Sequence, residues 1–96
     1  MSIIIAIRYH KIMEELPMKQ IYAENYRQIG LKIAYFRKLR GLTQEELAEQ
    51  TGLTPAFIGH LEAPNISKAL SLDTLFDIAA VLHVEPYKFF IFEDIQ

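Results

Sequence analysis

The sequence has no cysteine and no tryptophan, and only four glycines and four prolines occur among its 96 residues. Without cysteine, disulfides, thiolate zinc sites and thiol catalysis are excluded, and the composition suits a reducing compartment. No apolar run approaches the roughly 18 residues that a membrane span requires. The run at residues 3–7 has neither a basic start nor a small-residue cleavage site, which argues against a secretory signal. We therefore expect a cytoplasmic protein.

An excess of charge of either sign is also missing, since the formal net charge is −2. The distribution is uneven: residues 1–40 hold eight Lys or Arg and three Glu, whereas residues 41–96 hold two Lys and nine Asp or Glu. A net charge near zero argues against nonspecific polyanion binding but leaves room for a local phosphate-binding edge. Taken alone, the basic stretch 27–40 is most simply a solvated helix face.

Apolar residues make up 51% of the chain, and their spacing predicts helices. In residues 24–40, apolar side chains recur every three or four positions, which predicts a first long helix ending at Gly41. Ser71 is the predicted N-cap of the fourth helix. We expect the buried stripe of that fourth helix to consist of Leu72, Leu75, Ile78, Ala79 and Leu82. Pro86 opens a last short helical turn.

Between these helices, residues 43–62 read TQEELAEQTGLTPAFIGHLE and predict two short helices with a tight break. Thr43 and Glu46 have the spacing of a capping box, in which each side chain bonds the other residue's backbone N–H. Gly52 fits the left-handed position at which the helix must stop. Thr54 then caps the next helix, and Pro55 occupies its first position, where a missing N–H costs nothing.

The small side chain of Ala48 allows the third helix to cross close above the second. Apolar side chains at fixed offsets secure the crossing angle from the inner side: Leu47, Leu53, Ile58 and Leu61. This arrangement is the helix-turn-helix, which holds the later of its two helices, here the third helix of the chain, outward for entry into a DNA major groove.

The segment RKLRGLTQEELAEQTGLTPAFIGHLE, followed by SLDTLFDIAAVLHVEPYKFF, resembles the lambda-repressor-like Cro/C1 (XRE) family of bacterial transcription regulators. The resemblance covers about residues 25–90. It implies an all-α fold of five compact helices, homodimeric binding to double-stranded operator DNA, a repressor role, and the third helix as the recognition helix. We accordingly predict an N-terminal arm over residues 1–20 and a helix-turn-helix domain over residues 21–96.

The resemblance also implies a DNA-binding surface. Thr43 and Gln44 would contact phosphate at the start of the second helix, and Gln44 would also brace the recognition helix. The outward positions of the third helix are Thr54, Pro55, Ala56, Gly59 and His60. The loop that the family lays along the DNA backbone contributes Asn65, Ser67 and Lys68, with Arg37, Lys38 and Arg40 flanking.

Two departures from the family pattern affect this prediction. Pro55, Ala56 and Gly59 cannot make the bidentate hydrogen bonds that usually discriminate bases, so we expect weak direct readout and more reliance on DNA shape. The loop APNISKAL is longer than the family's usual turn. The alternative function is a protein-interaction module, or an antitoxin-like partner, whose DNA-reading face has degenerated.

No enzyme active site is expected, because no nucleophile, paired acids or glycine-rich phosphate loop stands out. The three histidines share no ligand spacing, so we predict neither metal nor cofactor. Glu62 is predicted to form an ion pair with a basic residue of the first helix, such as Arg37 or Arg40.

The N-terminal arm begins with IIIAIRY at residues 3–9, which is rich in β-branched and aromatic residues and predicts a strand. Since an unpaired apolar strand promotes aggregation, we expect the arm to pair with Phe89–Phe92 or with its twin in a second subunit, which would build a dimer. The alternative is that Met18 is the native start and that the arm has no role.

Overall fold

The computed structural model describes residues 18–92, and within this range the chain is all-helical, with no β-strand. Four α-helices follow one another: α1 (Ala23–Leu39), α2 (Gln44–Thr51), α3 (Pro55–Glu62) and α4 (Leu72–Leu82). Short 3-10 helices flank them at Gln20–Tyr22 and Pro86–Phe90. The predicted all-α class is confirmed, although the last of the five predicted helices is a 3-10 helix, Pro86–Phe90. The predicted strand of the arm lies outside the described residues.

The predicted starts and stops of the helices are confirmed. Thr43 and Glu46 form the capping box: Thr43 Oγ1 accepts from the Glu46 N–H, and Glu46 Oε1 accepts from the Thr43 N–H, both at 3.0 Å. Gly52 takes the left-handed conformation with φ of 73°, and Thr54 Oγ1 accepts from the Phe57 N–H at 3.1 Å. These local bonds satisfy backbone groups that a helix end would otherwise leave unpaired.

The core lies between the four α-helices: α1 packs on α3, and α2 packs on both α3 and α4. The fully buried side chains share an aliphatic or aromatic character and come from every α-helix and from the last 3-10 helix: Ile33, Leu47, Ile58, Leu61, Leu75, Ile78, Leu82 and Phe89. Phe89 also packs edge-to-face on Phe36, with ring centroids 5.3 Å apart. This contact fastens the C-terminal 3-10 helix to α1.

Leu72 departs from its predicted place in the buried stripe of α4, because its side chain is 59% exposed. It stands at the first position of α4, where the facing residues leave an open groove instead of closing over the helix. The other four predicted members of the stripe are buried. Helical periodicity identifies a face but cannot say how far along the helix that face is covered.

Helix α1 comes very close to α3 at Gly30, where a Cβ atom would lie 1.7 Å from the Leu61 carbonyl oxygen. Ala48, to which the sequence analysis gave the crossing role, is 1% exposed and lies between α2 and its neighbours. The approach of α1 to α3 therefore depends on Gly30, which sequence reasoning missed. None of the described helices has the length and apolar character needed to cross a membrane.

Candidate nucleic-acid interface

Helix α3 has one face in the core and one face open to solvent. Its inward side chains, Ile58 and Leu61, are 0% and 2% exposed. On the other side, Pro55, Ala56 and His60 are exposed, together with the N-cap residue of the helix. No other part of the described chain covers this outer side. The helix is thus anchored on the crossing with α1 and α2 and presents a free surface of small residues.

A buried hydrogen-bond network fixes the C-terminal end of α3. The Glu62 carboxylate accepts from Arg37 Nε at 2.7 Å and from Arg37 Nη2 at 2.8 Å, while Gln44 Nε2 donates to Glu62 Oε1 at 3.0 Å. Arg37 Nη1 donates to the Leu42 carbonyl at 2.7 Å. The predicted ion pair of Glu62 is therefore made with Arg37, and the carboxylate raises the pKa of that guanidinium.

These contacts change the roles predicted for two of the flanking basic residues. Arg37 is only 8% exposed and is bonded through all three guanidinium nitrogens, so it belongs to the core of the fold instead of the surface. Arg40 donates to the backbone carbonyls of Leu82 and His83 at 2.6 and 3.1 Å, which ties the ends of α1 and α4 together. Lys38 and Arg40 are both exposed, but of the three residues Lys38 alone makes no side-chain hydrogen bond within the described residues.

Gln44 stands at the first position of α2 and holds α3 through its hydrogen bond to Glu62, which agrees with its predicted bracing role. Its side chain is half-buried, and its Oε1 atom lies 3.6 Å from the place where a Cβ atom on Gly59 would be. The Gln44 side chain thus passes close to Gly59 between α2 and α3, at ordinary van der Waals distance from where a Cβ atom would be. Thr43, which caps α2, remains exposed beside it.

The loop after α3 lies against that helix. Lys68 Nζ sits 5.8 Å from the centroid of the Phe57 ring, within the range of a cation–π contact. Phe57 is half-buried and packs on the core, whereas Asn65 is exposed and Ser67 is half-buried. The loop thus adds one positive charge and two polar side chains beside the open face of α3. The Lys68–Phe57 contact was not predicted from the sequence.

Charge around the open face is mixed. Lys38, His60 and Lys68 supply positive or titratable groups, while the exposed side of α2 carries Glu45, Glu46 and Glu49. Negative charge therefore lies along α2, and positive charge lies in the loop and at the end of α1. Among the described residues, no group of three or more His, Asp or Glu side chains is placed to hold a metal ion.

Two comparisons with known proteins, by family model and by solved structure, find similar helix-turn-helix proteins. The family model HTH_3, described as helix-turn-helix, matches residues 33–89, which is more than half of the chain. A search of curated proteins finds no match.

Three similar solved structures illustrate the fold. The restriction-modification controller protein C.AhdI from Aeromonas hydrophila is 28% identical with a TM-score of 0.64, and the match covers 70% of this chain and 98% of that one. An HTH_3 family transcriptional regulator from Vibrio cholerae is 29% identical, with a TM-score of 0.63 and coverage of 71% and 37%. The hypothetical transcription factor NHTF from Neisseria is 26% identical, with a TM-score of 0.63 and coverage of 81% and 88%. The chain therefore belongs to the HTH_3 helix-turn-helix family, the Cro/C1-type (XRE) transcriptional regulators.

Proposed function

We propose that this protein is a transcriptional regulator that binds double-stranded DNA as a homodimer and inserts α3 into the major groove. The observation that carries the proposal is the open outer face of α3 on a helix that is locked in place from behind. An α-helix fits the width of the major groove, and its reading face must be free of the rest of the protein. A repressor would then act by occupying a promoter.

The outer face of α3 is better suited to a close approach of the helix to DNA than to the discrimination of bases. Pro55 and Ala56 offer apolar contact, for instance to a thymine methyl group, and Gly59 lets the helix backbone come near the groove wall. Thr54 and His60 are the polar side chains that this face presents. Most of the affinity is therefore expected from phosphate contacts and from the shape of the DNA.

Phosphate contacts would come from three places. The starts of α2 and α3, capped by Thr43 and Thr54, favour anions through their dipoles and free N–H groups. Lys68 and Asn65 would follow the DNA backbone from the loop, and Lys38 would do so from the end of α1. In a dimer, two such surfaces would address half-sites about 34–36 Å apart on one side of the DNA.

The proposal is tested by measuring affinity for a randomised duplex library over a series of salt concentrations. A DNA-binding protein loses affinity log-linearly with salt, with a slope of about −0.9 for each phosphate neutralised. Lys38→Ala and Lys68→Ala should each weaken binding to all sequences and reduce the magnitude of the slope by about 0.9. Lys88→Ala removes the same charge from the C-terminal 3-10 helix, outside the proposed surface, and is the matched control.

The sequence-dependent part of the proposal is examined with His60→Ala. If His60 reads a base edge, this substitution lowers selectivity at one position of the site and leaves the others unchanged.

Equal effects of the Lys68 and Lys88 substitutions would argue against the proposed surface. Failure to bind any duplex at low salt would instead favour a protein-interaction module. That alternative is supported by the acidic side of α2 and by the small residues of α3.

A further inference from the structure

An apolar groove of about 280 Å³ opens at the N-terminal ends of α1 and α4. The hydrogen bond from Arg40 to the Leu82 carbonyl joins the opposite, C-terminal ends of the same two helices. It lies between the start of α1, the start of α4 and the end of the last 3-10 helix. Its lining is predominantly apolar and includes Tyr22, Tyr26, Leu70, Leu72, Phe90 and Phe92. None of these residues belongs to the proposed DNA surface.

The rim of the groove exposes large apolar side chains. Tyr22 is 48% exposed, Leu72 59% and Phe90 46%. Phe76, one turn along α4 from Leu72, is 47% exposed, and Ile91, next to Phe90, is also 47% exposed. Exposed apolar side chains grouped around a groove mark a place where another segment binds, because single exposed apolar residues are common but groups of them are not.

We propose that the groove is the docking site for residues 3–7 of the same chain, the segment Ile-Ile-Ile-Ala-Ile. This segment is the most apolar run of the sequence outside the described residues. The described chain begins at Met18, and Tyr22, four positions later, already lines the groove. Residues 8–17, which join the segment to the described part of the chain, span up to about 35 Å when extended, so the segment reaches the groove.

The charges near the groove favour residues 3–7 over the C-terminal residues 93–96 as its occupant. Arg8 and Lys11 follow the apolar run, while α4 carries the exposed acids Asp73 and Asp77 beside Leu72 and Phe76. Docking of the N-terminal segment therefore brings opposite charges together at the rim. The C-terminal residues 93–96, Glu-Asp-Ile-Gln, have one apolar side chain and two acids, which those aspartates would repel.

Docking within one chain is favoured over exchange between two chains. A segment joined to the groove by about ten residues of the same chain has an effective concentration there in the millimolar range, which exceeds the concentration of a second copy in dilute solution. The groove also adjoins the residue at which the connection enters the fold, so no rearrangement of the helices is needed.

The test is made on the full chain with a nitroxide spin label. Because the sequence has no cysteine, Ser2→Cys provides a unique attachment point next to the segment. If the segment docks in the groove, the amide signals of Leu70, Leu72 and Phe90 lose most of their intensity, whereas those of α2 and α3 keep theirs. Loss spread evenly over the surface, or no loss at the groove, overturns the proposal.

A mixed sample separates docking within a chain from docking between chains. Isotope-labelled chains without the spin label are combined with spin-labelled chains without the isotope. Intensity loss at the groove in this sample would identify a second copy as the occupant and would overturn docking in the same chain. Unchanged intensity supports it.

A matched pair of substitutions tests the contact itself. Leu72→Gln should restore the lost intensity, whereas Leu39→Gln, at a leucine 60% exposed near the far end of α1, should leave it lost. Ile5→Asn in the segment provides the same test without altering the groove. If neither Leu72→Gln nor Ile5→Asn restores the signals, the apolar contact is refuted.

Discussion

Replacing Glu62 by Gln should strongly destabilise the fold, because it leaves the Arg37 guanidinium buried without its counter-ion. The carboxylate accepts two hydrogen bonds from Arg37 and one from Gln44, and the side chains of Arg37 and Glu62 are 10% and 5% exposed. Water cannot readily replace the lost partner at such depth. Removing one member of a buried ion pair costs about 3–5 kcal/mol.

The size of this loss relative to the total stability makes it measurable. For the 75 residues from 18 to 92, the unfolding free energy is expected to be on the order of 4–11 kcal/mol. With a urea dependence of about 1–1.5 kcal/mol per molar, a loss of 3 kcal/mol shifts the unfolding midpoint by roughly 2–3 M. The chain has no tryptophan, so the transition is best followed by far-UV circular dichroism.

Two further variants separate the ion pair from general effects of charge. Glu49→Gln removes the same charge from an exposed position of α2 and should change stability by about 0.5 kcal/mol or less. Arg37→Met combined with Glu62→Leu should recover most of the loss, since apolar side chains of similar size can replace a buried pair. A Glu62→Gln protein within about 1 kcal/mol of the wild type would refute the reasoning.

Two other predictions follow from the described contacts. Gly30→Ala should lower the free energy of unfolding, measured in urea, by about 3 kcal/mol or more. The new methyl group would lie 1.7 Å from the Leu61 carbonyl oxygen, so the two helix backbones would have to separate. A loss below about 1 kcal/mol would contradict the close crossing. The pKa of Glu24, which its hydrogen bonds with Arg27 and Gln28 lower from 4.5 to about 2, should be found there by NMR titration and should rise toward 4.5 in Arg27→Gln. Because the folded-state pKa is the lower one, the contribution of this pair to stability is present above pH 4.5 and is lost as the pH falls through about 2.

The helix boundaries and the helix-turn-helix itself were predictable from the sequence. The capping box of Thr43 and Glu46, the left-handed turn at Gly52 and the cap at Thr54 all depend on residues within three or four positions of one another. Such bonds form in whichever tertiary environment the segment occupies, so local spacing is enough to identify them. The same spacing supported the resemblance to the regulator family that the family match confirms.

The tertiary structure decided what depends on distant parts of the chain. Arg37 and Arg40 stand three positions apart with the same charge, yet Arg37 bonds Glu62, which is 25 residues away, and Arg40 bonds the end of α4, which is 42 residues away. The need for glycine at position 30 and the exposure of Leu72 likewise depend on which backbone lies opposite. Helical periodicity specifies the direction of a side chain, but only the packed fold specifies what that side chain meets.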